Sequence, residues 1–356
     1  MSSKIVRVVF FASFAGLLAM SAACGGGGGS DATATPSEPP TPTPPAEIAS
    51  EDIIPLFESS AVYILADGFY GGAFSGTGIV LDDKGNILTN NHVIEGAASI
   101  SVREPGSNRM VSAQIVGRSP CDDLAVIRAR EPEPFTPATI GSSDDLRQGA
   151  TVYAVGYPGS PDDTGGASEL SITSGLISRL NASFDYYGLQ NTIQIDAALN
   201  HGNSGGPLVD RFGEVVGVNT LGFSGLGLEN VNYAIAIDEA VSVYERLLEG
   251  QDIDWLGVNI EPNDPSFELD YGVPYYEDSA VIWGVDTNSP LFDEDWISGD
   301  LLLAAEGKII RTPGDLCSVI RSHRPGDSIL IEGYGQFADE AGGTYYDLYS
   351  SEVVIP

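Results

Sequence analysis

From Glu47 onward, apolar positions alternate with polar ones in short runs separated by turns rich in Gly, Pro and Asp, which is the rhythm of β-strands. The segment SGTGIVLDDKGNILTNNHVI reads as two strands about a polar DDKGN turn. SISVRE, VSAQIVGR, LAVIRA, TVYAVGY, SGLISRL, TIQIDA, GPLVD, EVVGVNT and NYAIAI continue the series. Many short strands at even spacing predict a sandwich or barrel. The period then changes. In DEAVSVYERLLEG, Ala240, Val241, Tyr244, Leu247 and Leu248 fall on one helical face, with Asp238 as N-cap and Gly250 as the stop. A domain boundary near residue 250 follows. Beyond it, WLGVNI, AVIWGV, GDLLLAAEG and SILIEGYG predict strands around one helix that opens at TPGD, with Thr312 as cap and Pro313 in the first turn. No internal repeat is present.

The beginning of the chain breaks this pattern. Lys4 and Arg7 precede an apolar run from Val8 to Met20 and then small residues, the layout of a signal peptide over residues 1–23. The run is shorter than the roughly 20 residues that span a bilayer. Residues 24–46 hold no periodicity and are rich first in Gly and then in Thr and Pro, which predicts a tether, flexible and then stiff. Cys24 stands where the small residues end and is similar to the acylated cysteine of bacterial lipoproteins. Ser21 departs from the aliphatic residue usual in that motif, and SAA before Cys24 also suits an ordinary signal peptidase.

Composition narrows the function. At 42% hydrophobic and 19% charged residues the chain is of globular type, and 43 Gly with 22 Pro agree with a turn-rich, mostly β protein. Its net charge of −34 excludes phosphate-backbone partners, and a solvated acidic surface accounts for it. Cys121 and Cys317 fall on either side of the boundary near residue 250, which predicts two buried free thiols rather than a disulfide.

The stretch LNHGNSGGPLVD places Ser204 in a glycine-lined bend. Such a serine is most simply part of a turn, but the same bend can expose a nucleophile and aim backbone N–H groups at one point. A base and an acid to orient it are then required. His92 follows an apolar strand in LTNNHVIEG. Asp123 directly precedes the apolar LAVIRA and is placed to be buried, whereas Asp122 is expected to be solvated. His201 and His323 are the other histidines.

TNNHVIEG, DDLAVIRA and GNSGGPL, in this order, resemble the HtrA (DegP-like) branch of the chymotrypsin-fold serine proteases. The resemblance implies a mostly β fold, a chymotrypsin-like double β-barrel over residues 47–250, with Ser204 as nucleophile, His92 as general base and Asp123 as its orienting acid. It also implies oxyanion-hole N–H groups on Gly202 and Ser204, with Asn203 as a helper, and a substrate-pairing strand at Asn219, Thr220 and Leu221. By resemblance to the digestive proteases, Ala198 stands at the floor of the pocket for the substrate side chain before the cut, with Ala197 and Leu199 beside it and Thr220 and Leu221 as candidate walls. With no carboxylate in view unless Asp196 bends inward, a small aliphatic side chain is preferred there and Lys or Arg rejected. His201 stands where the family has Pro, and Pro207 where it has Ala.

Residues 251–356 resemble a PDZ domain, with Trp255, Leu256, Gly257 and Val258 as the carboxylate-binding loop and Gly299-Asp300 and Gly326-Asp327 in the core. EPNDPSFELDYGVPYYEDS is an acidic insertion that bears on access to the groove. The implied partners are unfolded protein substrates, C-terminal peptides, a membrane through the lipid anchor, and two further copies in a homotrimer held by N-terminal aromatics, a role open to Tyr63, Phe69 and Tyr70. No metal or cofactor is implied, and the implied location is the periplasm or cell surface. A catalytically silent scaffold with a peptide-binding domain and a structural surface lipoprotein are the rival classes. The intact GNSGG loop counts against the former, and a serine-directed fluorophosphonate separates the enzyme from both.

Overall fold

The computed structural model describes residues 46–68, 73–131, 135–159, 169–222, 230–338 and 343–356, with Leu221 and Gly222 as backbone alone. Cys24, Phe69 and Tyr70 lie outside the described residues, as do the signal peptide and all but the end of the tether. A short helix α1 (Ser50–Phe57) leads into strands β1 (Ala61–Gly68), β2 (Ala73–Val80) and β3 (Asn86–Thr89). The helical turn α2 (Asn91–Ile94) and strands β4 (Ala97–Arg103), β5 (Met110–Ser119) and β6 (Leu124–Ala129) complete the first barrel, closed in the order β1-β2-β3-β6-β5-β4. The DDKGN turn forms as the pattern predicts. Asp82 accepts hydrogen bonds from the N–H groups of Lys84 and Asn86, and Gly85 takes the positive φ the turn requires.

The second barrel repeats the plan with β7 (Thr151–Gly156), β8 (Ser171–Phe184), β9 (Leu189–Ile195), β10 (Pro207–Val209), β11 (Val215–Gly222) and β12 (Asn232–Ala236), closed as β10-β11-β12-β9-β8-β7. The fold is therefore the mostly β double barrel expected, although β1 and α1 carry no marked signal in the sequence. Helix α3 (Ile237–Leu247) follows and buries Ile237, Ala240, Val243, Tyr244 and Leu247. Its N-cap is Ala236, two residues earlier than predicted. Asp238 lies inside the helix, where its carboxylate accepts from the N–H and hydroxyl of Ser143.

After α3, β13 (Val258–Pro262), α4 (Ser266–Tyr271), β14 (Ala280–Val285), α5 (Pro290–Asp293), β15 (Leu301–Ala305), β16 (Lys308–Ile309), α6 (Pro313–Ile320), β17 (Ser328–Ala338) and β18 (Thr344–Val354) form a third sheet and its helices. The sheet runs β13-β14-β15-β17-β18, with β16 paired to β15, and has the make-up of a PDZ domain. Helix α6 starts as predicted. Thr312 and Asp315 cap each other reciprocally in a capping box, with Pro313 in the first turn. Among the described residues no helix is long and apolar enough to cross a membrane.

One prediction fails here. Cys121 and Cys317 form a disulfide joining the first barrel to α6 across 196 residues of sequence. Two lone cysteines on either side of a domain boundary gave no sign of pairing, because the sequence does not show that α6 packs on the turn before β6. Tyr63, one of the aromatics considered for trimer contacts, sets its ring edge-on to Tyr157 at 5.9 Å, with Arg103 over its face at 4.5 Å.

Candidate active site

His92 occupies the turn α2 immediately after β3, and Asp123 ends the 3₁₀ turn Pro120–Asp122 immediately before β6. β3 and β6 are hydrogen-bonded neighbours, with Thr89 opposite Ala125, so sheet register alone brings the two side chains together. Asn90 strengthens the junction, its buried amide donating to the Asp123 carbonyl at 2.8 Å. Asp123 takes a left-handed backbone with φ 50°, a conformation Asp adopts more readily than most residues, and this turns its carboxylate inward to 2% exposure.

Both carboxylate oxygens of Asp123 lie 2.9 Å from His92 Nδ1. One also accepts the His92 backbone N–H at 3.1 Å, and the other accepts the Thr220 hydroxyl at 2.8 Å. Nδ1 beside a carboxylate carries the ring proton, leaving Nε2 as the basic nitrogen. Burial alone would lower the His92 pKa, but the Asp123 carboxylate, helped by Glu95, raises it above the ordinary imidazole value.

Ser204 comes from the second barrel, just before β10, and lines the same cleft as His92 and Asp123. Its loop is pinned from the first barrel by Thr77, in the middle of β2. The Thr77 N–H donates to the Ser204 carbonyl at 2.8 Å, and the Thr77 hydroxyl donates to the Gly202 carbonyl at 2.7 Å. The glycines are sterically demanded. Gly202 has φ 98°, and a Cβ there would stand 2.2 Å from the Tyr157 carbonyl oxygen. Gly205 has φ 83° and the same 2.2 Å conflict with Thr77 and Thr89.

The loop geometry leaves two donors free. The His201 carbonyl accepts the Gly159 N–H at 2.7 Å, and the Asn203 carbonyl accepts the Gly206 N–H at 3.1 Å. In a trans peptide the N–H points opposite the C=O, so the Gly202 and Ser204 N–H groups face the other way, and neither meets an acceptor among the described residues. The Asn203 N–H, expected as a helper, donates instead to the Asn200 carbonyl at 3.0 Å.

Several residues expected at the site do other work. Thr220 is 1% exposed and spends its hydroxyl on Asp123, so its side chain backs the acid rather than walling a substrate pocket. Asn219 is wholly buried, and its amide donates to the carbonyls of Val155 and Pro207. The Leu221 side chain lies outside the described residues. Ala198 is exposed and its carbonyl accepts the Thr173 hydroxyl, while Ala197 is buried in the second-barrel core. Asp196 does not bend inward, since its carboxylate accepts the Leu176 N–H at 2.5 Å. Asp122, expected to be solvated, accepts the Ser119 hydroxyl at 2.6 Å and is ion-paired with Arg321. His201 is exposed at the cleft rim. Thr77 is a supporting residue that sequence reasoning missed, and Thr220 is one to which it gave a different role. A threonine in a strand gives no sign of which carbonyl or carboxylate its hydroxyl will meet.

The cleft, about 970 Å³, continues from Ser204 to the third sheet. Its far wall is the edge strand β13 with Val258 and Ile260, faced by Leu316 and Ile320 of α6. Leu256 also lines it. Trp255 packs instead beneath the Arg118 guanidinium at 4.5 Å, and the Gly257 carbonyl accepts the Asp286 N–H. Part of the acidic segment forms α4, whose Phe267 and Tyr271 line the cleft beside Trp283 with ring centroids 5.0 and 5.1 Å from the indole.

A family model of the trypsin-like peptidase domain matches residues 76–218. The chain is 32% identical over 260 residues to a DegP-like periplasmic serine endoprotease of Halomonas elongata, which covers 72% of this chain and 53% of that protein. It is 31% identical over 269 residues to the Do-like serine protease HtrB of Bacillus subtilis, covering 70% and 56%. The chain therefore spans about half the length of the curated relatives it matches. Among solved structures, the HtrA-type protease AlgW with a tripeptide aligns with a TM-score of 0.53 and 28% identity over 87% of this chain and 99% of that one. AlgW with a decapeptide gives 0.51 and 26% over the same shares. Alike in sequence and in strand arrangement over most of its length, the chain belongs to the HtrA-type serine proteases of the trypsin-like family.

Proposed function

We propose that the protein is an extracytoplasmic serine endopeptidase that cleaves unfolded polypeptides, with residues 47–250 as the protease domain and residues 251–356 as a PDZ domain. The observation that carries this reading is the pair of 2.9 Å contacts from His92 Nδ1 to a buried Asp123, in one cleft with Ser204 and two unpaired backbone N–H groups. His92 Nε2 takes the proton from Ser204 Oγ as the oxygen attacks the substrate carbonyl carbon. The developing oxyanion is met by the N–H groups of Gly202 and Ser204. The imidazolium, stabilised by Asp123, then returns the proton to the leaving amine, and water repeats the sequence to release the acyl group. The Thr220 hydroxyl holds Asp123 throughout.

The second barrel and the third sheet both face the cleft, so an extended chain end can add as a strand to the open edge of β13 while its apolar side chains meet Leu316 and Ile320. AlgW is described with bound tripeptide and decapeptide, which supports peptide binding here. The periplasmic naming of the Halomonas relative supports a place outside the cytoplasm, and the position of Cys24 directly after the small residues that end the leader-like segment supports an acylated anchor there. The test is digestion of unfolded casein by the purified mature chain. Wild type is expected to cleave it, and Ser204→Ala is expected to lose cleavage while keeping its circular dichroism. Activity of Ser204→Ala within tenfold of wild type overturns the assignment.

A further inference from the structure

The cleft holds a group of polar and aromatic side chains beyond the three triad residues and the apolar lining of the β13 groove. Asn91, next to His92 and 4% exposed, forms part of its wall, and its amide oxygen meets no hydrogen-bond donor. The amide nitrogen of Asn91 faces Glu95 one turn further on, which fixes the oxygen as the free end. Across the cleft, Glu261 projects from β13 and accepts the Trp283 indole N–H at 3.1 Å. Between these carboxyls stand Tyr186 and Tyr187, at the tip of the β8–β9 hairpin, edge to face with centroids 4.7 Å apart. Glu261 acts electrostatically on both tyrosines, and Glu95 on Tyr187.

Neither Glu95 nor Glu261 is in an ion pair among the described residues, and no Lys or Arg is among the described residues lining the cleft. Arg118 acts on Glu95 from β5, but its guanidinium is already held by Asp252 and Asp286 and stacked on Trp255. A buried free acceptor, two unneutralised carboxyls and an aromatic pair are the elements that receive a cation with N–H donors. Carboxyls and amide oxygen take the donors, and ring faces take the charge.

We propose that this part of the cleft is a subsite for an arginine or lysine side chain of the bound polypeptide, formed by the Asn91 amide oxygen, the Glu95 and Glu261 carboxyls and the rings of Tyr186 and Tyr187. The inference rests on the endopeptidase reading and adds a substrate preference to it. It concerns a position away from the side chain before the cut. The groups facing Glu95 are Asn91 and His92 on its own segment, Asp123 from the turn before β6, Arg118 from β5 and Tyr187 from the hairpin. Burial and the Asp123 charge push the Glu95 carboxyl up to about 7. The subsite is therefore fully charged only above neutral pH, and preference for a cation fades as pH falls.

The experiment uses peptides built on a casein cut site, carrying Arg, Lys, norleucine or Glu at successive positions on both sides of the bond. At one position Arg is expected to exceed norleucine in kcat/KM by about tenfold at pH 8. That ratio is expected to fall toward one at pH 6 and in Glu261→Gln and Glu95→Gln. The ratio cancels the titration of His92 and any general loss in the variants. Binding of the same peptides to Ser204→Ala, read by fluorescence anisotropy, is expected to show the same order without turnover. Ratios within twofold of one at every position, with Ser204-dependent cleavage intact, overturn the subsite alone. Absence of Ser204-dependent cleavage of any peptide overturns both readings.

Discussion

Where the two barrels meet, the contact is one continuous apolar core running from Phe57, Leu88 and Val126 to Val155, Val218 and Leu247, whereas the barrels and the third sheet are joined mainly by polar and covalent links. The second seam contains the Cys121–Cys317 disulfide, Arg321 paired with Asp122 and Asp254, and Arg118 paired with Asp252 and Asp286. A main-chain hydrogen bond from the Gly314 N–H to the Tyr186 carbonyl at 2.9 Å adds to it. The proposed reaction sits on the first seam, with His92 and Asp123 from one barrel and Ser204 and Thr220 from the other. An apolar junction excludes water, so the charge on Asp123 acts on the imidazole at low dielectric, and the halves are held by burial spread over many side chains. The second seam depends on a few groups, several of them part-exposed, whose ion pairs are each worth little. One covalent bond therefore carries much of its strength.

The sharpest way to break the first seam's chemistry is Asp123→Asn, which keeps the shape but removes the charge and favours the wrong imidazole tautomer. It is expected to lower kcat by about 10⁴-fold, while Asp122→Asn, whose carboxylate meets Ser119 and Arg321 rather than His92, stays within a few-fold. Steady-state kinetics on an optimised peptide distinguishes the two, and the reverse ranking would assign the acid to Asp122.

Next in size is loss of the disulfide. Replacing Cys121 and Cys317 by Ser is expected to destabilise the third sheet by about 2–4 kcal/mol. Trp255, Trp283 and Trp296 all belong to that region, so urea unfolding followed by tryptophan fluorescence reports it selectively. The fluorescence transition should move to lower urea than the loss of caseinolytic activity. Coincident, unmoved transitions would show that the ion pairs suffice.

A smaller effect is expected for Thr220→Val, which removes the hydroxyl that donates to Asp123. A hydrogen bond to a buried carboxylate of this kind should cost about tenfold in kcat/KM. The smallest is a shift in pH dependence. Burial tends to lower the His92 pKa, but Asp123 outweighs it, and catalysis needs the neutral imidazole. The acid limb of the kcat/KM profile should therefore have its midpoint above the usual imidazole value of about 6.5.

The first seam was legible in the sequence and the second was not. Alternation of buried and exposed positions announces most of the strands, and a strand such as LAVIRA, buried at nearly every residue, announces an internal one. His92 and Asp123 can be read because each adjoins such a strand, and Ser204 because its glycines are required by backbone geometry. Contacts between distant polar groups leave no such trace. Arg321 lies 199 residues from Asp122, and neither residue type implies the other. Thr220 was misjudged for a related reason: at a bulge in β11, between Asn219 and Gly222, the simple inside–outside alternation no longer says where a side chain points.

Ser204, unlike the other serines of the chain, is activated at the junction of the two barrels in the proposed mechanism. The direct measurement is reaction of the purified chain with a serine-directed fluorophosphonate, followed by mass spectrometry of the peptides. A single stoichiometric adduct on Ser204 is expected, lost in Ser204→Ala and strongly slowed in His92→Ala. An adduct on another serine, or no adduct on folded protein that still digests casein, would contradict it.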